Sequence, residues 1–283
     1  MRSDLHMKKL LWSTALLLAM ACGKKSGPAP DNPEPPPPAP QVKVMTFNIY
    51  GARASSGTPA DLAVLAKIIN DEKPDLVALQ EVDVHTQRTG KDMHQAKDLA
   101  ALTGMEWFFA KAIDQGGGEY GDAVLSKLPI KSSKRYALPV APNVSGEFRS
   151  VAMIKVNKEG KDFYFASTHL DHLQQEDSRI LQAQELKKIV TALDLPVVMG
   201  GDFNALPESQ TIGILKGFMN LGCLQQCPLT FPSDKPNRTI DYIMTAPTGK
   251  FTVTFYNAIT GYHAEKKVYS SDHRPVVANI KIN

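Results

Sequence analysis

From residue 42 to the C-terminus the chain switches repeatedly between two hydrophobic periods. "QVKVMTFNIY" alternates and is rich in β-branched residues, which predicts a strand. "PADLAVLAKIINDEK" repeats its apolar positions at three and four residues, which predicts a helix with Pro59 at its start. "PDLVALQEV" reads as a second strand, and "MHQAKDLAALTG" as a helix closed by Gly104. "GDAVLSKLPI", "SVAMIKVN" and "KDFYFASTHL" read as strands, the last two as a hairpin around Lys158–Gly160. "EDSRILQAQELKKIVTAL" is a long amphipathic helix. "PVVMGGD", "TIDYIMTAP", "KFTVTFYNA" and "RPVVANIKI" follow as strands. About nine strands with a few helices, and no internal repeat, predict one α/β domain over 42–283. Neighbouring strands without a helix between them argue against a simple parallel sheet. Two packed sheets with outer helices fit the pattern better.

Upstream, the pattern is of another kind. Residues 1–21 carry Lys8 and Lys9, then an apolar run of roughly a dozen residues, too short to span a bilayer. The run ends "LAMAC", which resembles a bacterial lipobox, although Ala19 stands where Leu is usual. The expectation is a signal peptide over 1–21 and lipidation at Cys22. The protein would then be exported and anchored to a bacterial membrane, on its periplasmic or cell-surface face. Residues 22–41 include "GKKSGPAPDNPEPPPPAPQ", a Pro-rich run with little to bury, read as an extended tether. Cys223 and Cys227, in "GCLQQC", have a spacing that permits a disulfide. An exported chain favours that disulfide over two free thiols.

Composition narrows the function. The chain is 43% hydrophobic and 22% charged, enough for a real core, and its net charge is +3. Arg2, Lys8 and Lys9 against Asp4 place +2 of that in the leader and leave +1 for the rest. A non-specific nucleic-acid binder usually carries a strong basic excess. Nucleic acid therefore stays possible as a substrate without being favoured.

Candidate chemistry sits at strand ends. Asn48 ends the first strand and Glu81 the second. His169 ends a later one, and Asp202 and Asn204 follow "VVMGG". Asp241 opens a strand, and Asp272 and His273 precede the last. Singly, each reads as a turn, a cap or a solvated charge. Together, carboxylates, amides and imidazoles at strand ends can converge on one rim.

"TFNI", "LQEVD", "THLD", "GDFNA", "TIDYI" and "SDHRPV", in this order over residues 42–281, resemble the endonuclease/exonuclease/phosphatase superfamily. The resemblance implies an α/β four-layer sandwich of two packed mixed β-sheets flanked by helices. It also implies a Mg²⁺-dependent phosphoesterase, with Mn²⁺ as a substitute. Glu81 would be the main metal ligand, with Asn48 beside it and Asp272 completing a site. Asp202 and Asn204 would orient the attacking water and a phosphate oxygen. Asp241 would fix the tautomer of His273. His169 would donate to a non-bridging oxygen or protonate the leaving group. One metal or two, and which residue is the base, stay open.

Arg149, in "GEFRS", and Arg88, in "TQRTG", are candidates for binding phosphate, with a surface salt bridge as the alternative for Arg149. Asp122 stands in "EYGDAVLS" where the family usually has Asn. An acid there would repel an anion unless it bound metal or a proton. Arg179 reads as a structural ion pair. The expected reaction is hydrolysis of a phosphodiester, in nucleic acid or in a small molecule or lipid headgroup, by water attack at a Mg²⁺-bound phosphate. The expected partners are that ester and the membrane, and the expected state is a monomer. The rival reading is a catalytically inactive binding protein on the same scaffold.

Overall fold

The computed structural model describes residues 38–54 and 59–283. The leader, Cys22 and nearly all of the tether lie outside these residues. The compact unit runs from Ala39 to Asn283. It begins ahead of Val42 because Pro40 O accepts a hydrogen bond from Ile282 N–H and Gln41 pairs with Lys281.

Two six-stranded sheets form the centre. The first runs β11 (Phe251–Ala258), β14 (Val276–Ile282), β1 (Gln41–Asn48), β2 (Leu76–Val84), β4 (Gly118–Ser126), β3 (Glu106–Gln115). The second runs β5 (Ser132–Leu138), β6 (Arg149–Lys158), β7 (Lys161–His169), β8 (Val197–Asp202), β10 (Asp241–Ala246), β9 (Asn220–Leu221). A small ribbon pairs β12 (Tyr262–His263) with β13 (Val268–Tyr269). The helices are α1 (Leu62–Glu72), α2 (Gln95–Thr103), α3 (Asp177–Thr191) and α4 (Gln210–Lys216). Both sheets are mixed: β1–β2 and β7–β8 are parallel, the other pairs antiparallel.

Three apolar layers separate these four. One packs α1 and α2 on the first sheet, through Leu65, Leu99, Met45 and Phe47. Another packs α3 and α4 on the second, through Leu186, Leu215, Met199 and Met244. The third lies between the sheets, with Val44, Leu76, Phe165 and Val198. Val197 and Met199 thus face the helices while Val198 faces the other sheet. That is why "VVM" is apolar without alternation: both faces of the strand are covered.

The boundaries differ from the sequence reading in instructive places. Helix α1 starts at Leu62, not at Pro59, because the Asp61 side chain accepts from Ala63 N–H and caps it. Strands β3 and β5 were not visible as strands. Both are sheet edges, and each buries a single residue fully, Ala110 and Leu138, so neither alternates. The short helix α4, capped by Ser209 Oγ on Ile212 N–H, was also not foreseen. Strand β2 does not end at Glu81 but continues to Val84. Among the described residues, no helix is long and apolar enough to cross a membrane. The two remaining cysteines form the disulfide Cys223–Cys227, with Cα atoms 5.0 Å apart.

Candidate active site

Strand register does most of the assembly. In the parallel pair β7–β8, His169 lies beside Asp202, and in the antiparallel pair β8–β10 Asp202 lies beside Asp241. The two glycines before Asp202 have separate duties. A Cβ on Gly200 would lie 2.8 Å from Thr46 and Ala78 of the first sheet. A Cβ on Gly201 would lie 2.5 Å from Thr168 O. Gly200 therefore lets the sheets approach, and Asp202 Oδ2 comes within 3.0 Å of Asn48 Nδ2.

Glu81 enters by a different device. The β2–β4 register shifts between Leu79 and Val82, and Glu81 has φ +57°. A bulge with a left-handed residue turns a side chain out of the ladder, at a cost in backbone strain. Asn48 Nδ2 also donates to Glu81 Oε1 at 3.1 Å, while Asn48 Oδ1 accepts from Tyr50 N–H. In this arrangement Asn48 bridges two carboxylates with its amino group, and its oxygen accepts one backbone hydrogen bond.

The two histidines sit in opposite electrostatic settings. His273 Nδ1 lies 3.0–3.1 Å from both oxygens of Asp241, and its Nε2 faces Asp202 Oδ2 at 3.6 Å. Burial alone would lower its pKa, but Asp241 and Asp202 outweigh it and raise it, so His273 holds a proton at neutral pH. His169 is pushed well below its ordinary value, by burial first and then by the Arg149 charge, so it stays neutral. Its Nε2 accepts from Asn204 Nδ2 at 2.9 Å, whose other hydrogen goes to Leu170 O. The His169 Nδ1 lies 3.5 Å from both Tyr120 Oη and Arg149 Nη1. Asp202, between the two rings, has its pKa raised by burial and by Asp241. Asn204, in the left-handed region at φ +47°, donates its backbone N–H to Asp202 Oδ1.

These groups open on a cleft of about 370 Å³. Glu81, His169, Asp202, Asn204, Asp272 and His273 all reach it, while Asp241 is buried behind His273. Arg149 is only 2% exposed, although the side chain of its ion-pair partner Glu147 is 40% exposed. Arg149 reaches the cleft, pairs with Glu147 at 3.0 Å and donates to His172 Nδ1 at 3.2 Å, and its buried Nε has no partner among the described residues. Arg88 lines the same cleft, held in bidentate fashion by buried Asp83 at 2.7 and 2.9 Å.

Two secondary expectations change. Arg179 makes no ion pair among the described residues; it donates to the carbonyls of Asp171, Leu173 and Gln174 and so pins the loop after His169. Asp122 is 1% exposed and accepts from Ser150 Oγ at 2.7 Å. Burial pushes its carboxyl up to about 8, so it is protonated at neutral pH and presents no charge to an anion. Tyr120, Glu147, His172 and Phe231 also line the cleft without having been assigned a role from sequence. His172 carried a signal, its three-residue spacing from His169; the others carried none.

The donor set fits a hard divalent cation. Glu81 and Asp272 are neighbouring carboxylates whose pKa values are raised by burial, and the Asp272 charge raises Glu81 further. A cation between them would relieve that repulsion. Ligand atoms of Asp202, Asp241 and His273 also lie within 4.8 Å of one another. There His273 Nδ1 is engaged by both oxygens of Asp241, an arrangement that suits proton handling better than ligation.

The sequence profile of the Endonuclease/Exonuclease/phosphatase family matches residues 45–273. The chain belongs to this family. Members of the endonuclease/exonuclease/phosphatase family are commonly metal-dependent hydrolases of phosphoester bonds. Solved structures of the same fold include a family protein from Bacteroides thetaiotaomicron, 20% identical, with TM-score 0.71, covering 87% of this chain and 99% of that one. A mannosyl-6-phosphatase from the same organism is 20% identical, with TM-score 0.66, covering 84% of this chain and 99% of its own. The human Nocturnin catalytic domain with bound sulfate is 20% identical, with TM-score 0.65, covering 86% and 94%. No curated protein matched the chain.

Proposed function

We propose that this chain is a Mg²⁺-dependent phosphoesterase acting on a small-molecule ester, with Mn²⁺ as an alternative ion. The observation that carries the reading is the pair of histidines flanking Asp202, one with its pKa raised by Asp241 and Asp202 and one with it lowered by burial, on a cleft that also holds the neighbouring carboxylates Glu81 and Asp272. Glu81 and Asp272 would hold the ion, which when bound supplies positive charge to the phosphate. Asp202 orients the water, with Asn204 holding its carboxylate in place. His273, kept protonated by Asp241, stabilises negative charge developing at phosphorus. Arg149 and Arg88 donate to phosphate oxygens. His169 reaches the same centre through Asn204. The small cleft and near-neutral charge support a small molecule over duplex DNA.

A phosphodiester is the form expected from sequence, and it sets the first assay. Mature protein is assayed with Mg²⁺, Mn²⁺ or chelator against bis-p-nitrophenyl phosphate, p-nitrophenyl phosphate and plasmid DNA. Turnover of a chromogenic ester that chelator abolishes supports the reading. Ion binding without turnover of any ester favours the inactive binding scaffold. Export and lipidation at Cys22 belong to the same proposal, supported by a disulfide that suits an oxidising compartment.

A further inference from the structure

Resting on the phosphoesterase reading, we propose that Glu147, Gln115 and His172 form a leaving-group subsite for a hydroxyl-rich alcohol, so that the substrate is a sugar or polyol phosphoester. All three line the cleft that holds Asp202 and His273. The Glu147 backbone N–H donates to Asp171 Oδ2 at 2.8 Å, and its 40% exposed side chain pairs through Oε2 with Arg149 at 3.0 Å. The ion pair uses Oε2 and leaves Oε1 for a ligand. His172 Nδ1 accepts from Arg149, so in the neutral ring the proton is on Nε2, a donor. Gln115, at the end of β3, adds a donor and an acceptor.

A carboxylate in a cleft for an anionic substrate has a selective effect. It disfavours a second phosphate beside the scissile one, as a polynucleotide or a polyphosphate would bring. It favours O–H groups, for which it is a strong acceptor. The apolar lining is sparse: among the described residues that line the cleft, Ile113, Tyr120 and Phe231 are the apolar and aromatic ones besides the histidines. An acyl chain or a stacked base would find no enclosed apolar slot. At about 370 Å³ the cleft lies near the small end of ligand pockets, roughly 300–1,000 Å³. A phosphate with one polyol unit suits that size.

The test compares hexitol 6-phosphate with n-hexyl phosphate, each as the monoester and as its methyl diester. The paired alcohols differ in their hydroxyls. Wild type is expected to show kcat/KM at least about tenfold higher for the hexitol ester, because a site built to bind hydroxyls penalises their loss. Glu147→Ala should lower that ratio about tenfold, through KM. Glu147→Gln loses the ion pair but keeps an acceptor, and should retain most of the ratio. A wild-type ratio near one overturns the subsite while leaving the phosphoesterase standing. Equal loss of the ratio in the Ala and Gln variants assigns Glu147 to holding Arg149 and also overturns it. No turnover of any of the four esters with Mg²⁺ or Mn²⁺ overturns both readings.

Discussion

His273 and Asp241 define the residue scale. Burial works against the charged imidazole of His273, and Asp241 and Asp202 outweigh it, the kind of shift that clusters at functional sites. His273→Ala and Asp241→Asn should each lower turnover by about 10²–10⁴ with little loss of metal binding, as rates measured across an Mg²⁺ titration will show. Glu81→Gln should behave differently: part of its loss should return at high Mg²⁺ or Mn²⁺, because it removes a charged ligand while keeping its shape. Asp122 makes a separate, purely structural claim. Its folded pKa of about 8 lies above its unfolded value, so the native state binds the proton more tightly. The stability this gives is complete at pH below about 4 and falls as pH rises towards 8. Asp122→Asn lacks that slope. The melting temperature of the variant minus that of wild type should therefore increase from pH 4 to pH 8. A flat difference would mean that Asp122 is ionised in the fold.

At the scale of elements, the site depends on how closely two sheets meet. Gly200→Ala would place a methyl 2.8 Å from Thr46 and Ala78, both in strands that cannot yield cheaply. Overpacking of this kind costs typically about 1–3 kcal/mol. It should also lower turnover, by moving Asp202 away from Asn48. Melts and rates on the same preparation test both effects. A variant with wild-type stability and rate would show that the sheets are not pinned at this point.

This scale also shows what could be read from the amino acids. Strands buried on one or both faces, such as β1, β7 and β8, announced themselves through apolar content and placed Asn48, His169 and Asp202 at strand ends. The bulge at Glu81 did not: "LVALQEV" reads as one unbroken strand, and a left-handed Glu has no mark in sequence. Edge strands β3 and β5 were silent because their outer residues face water. Gln115, on β3, therefore lacked a frame that would show it reaching the cleft, and Tyr120 lies in β4 just ahead of the stretch read as a strand. The burial of Arg149 was equally hidden, since a guanidinium is usually at the surface and only its partners, Glu147, His172 and Tyr120, account for it here.

For the whole molecule, the parts proposed in order are a leader, a lipid anchor at Cys22, a Pro-rich spacer and a catalytic domain. The first three lie outside the described residues, so their test is biochemical. Expressed in a bacterium, the chain should take up labelled lipid and partition into detergent, and Cys22→Ser should abolish the labelling. Labelling that persists in that variant would contradict the anchor. The domain itself brings six motifs from strand ends and loops to one rim, where they are proposed to form a working phosphoester hydrolase. The most direct measurement is turnover of the chromogenic esters by wild type and Asp241→Asn across an Mg²⁺ titration, with thermal melts of both. Wild type is expected to show metal-dependent turnover. Asp241→Asn is expected to lose at least about a hundredfold, not restored by added metal, in protein that remains folded. Equal rates in the two proteins, both folded and metal-loaded, would contradict that proposal.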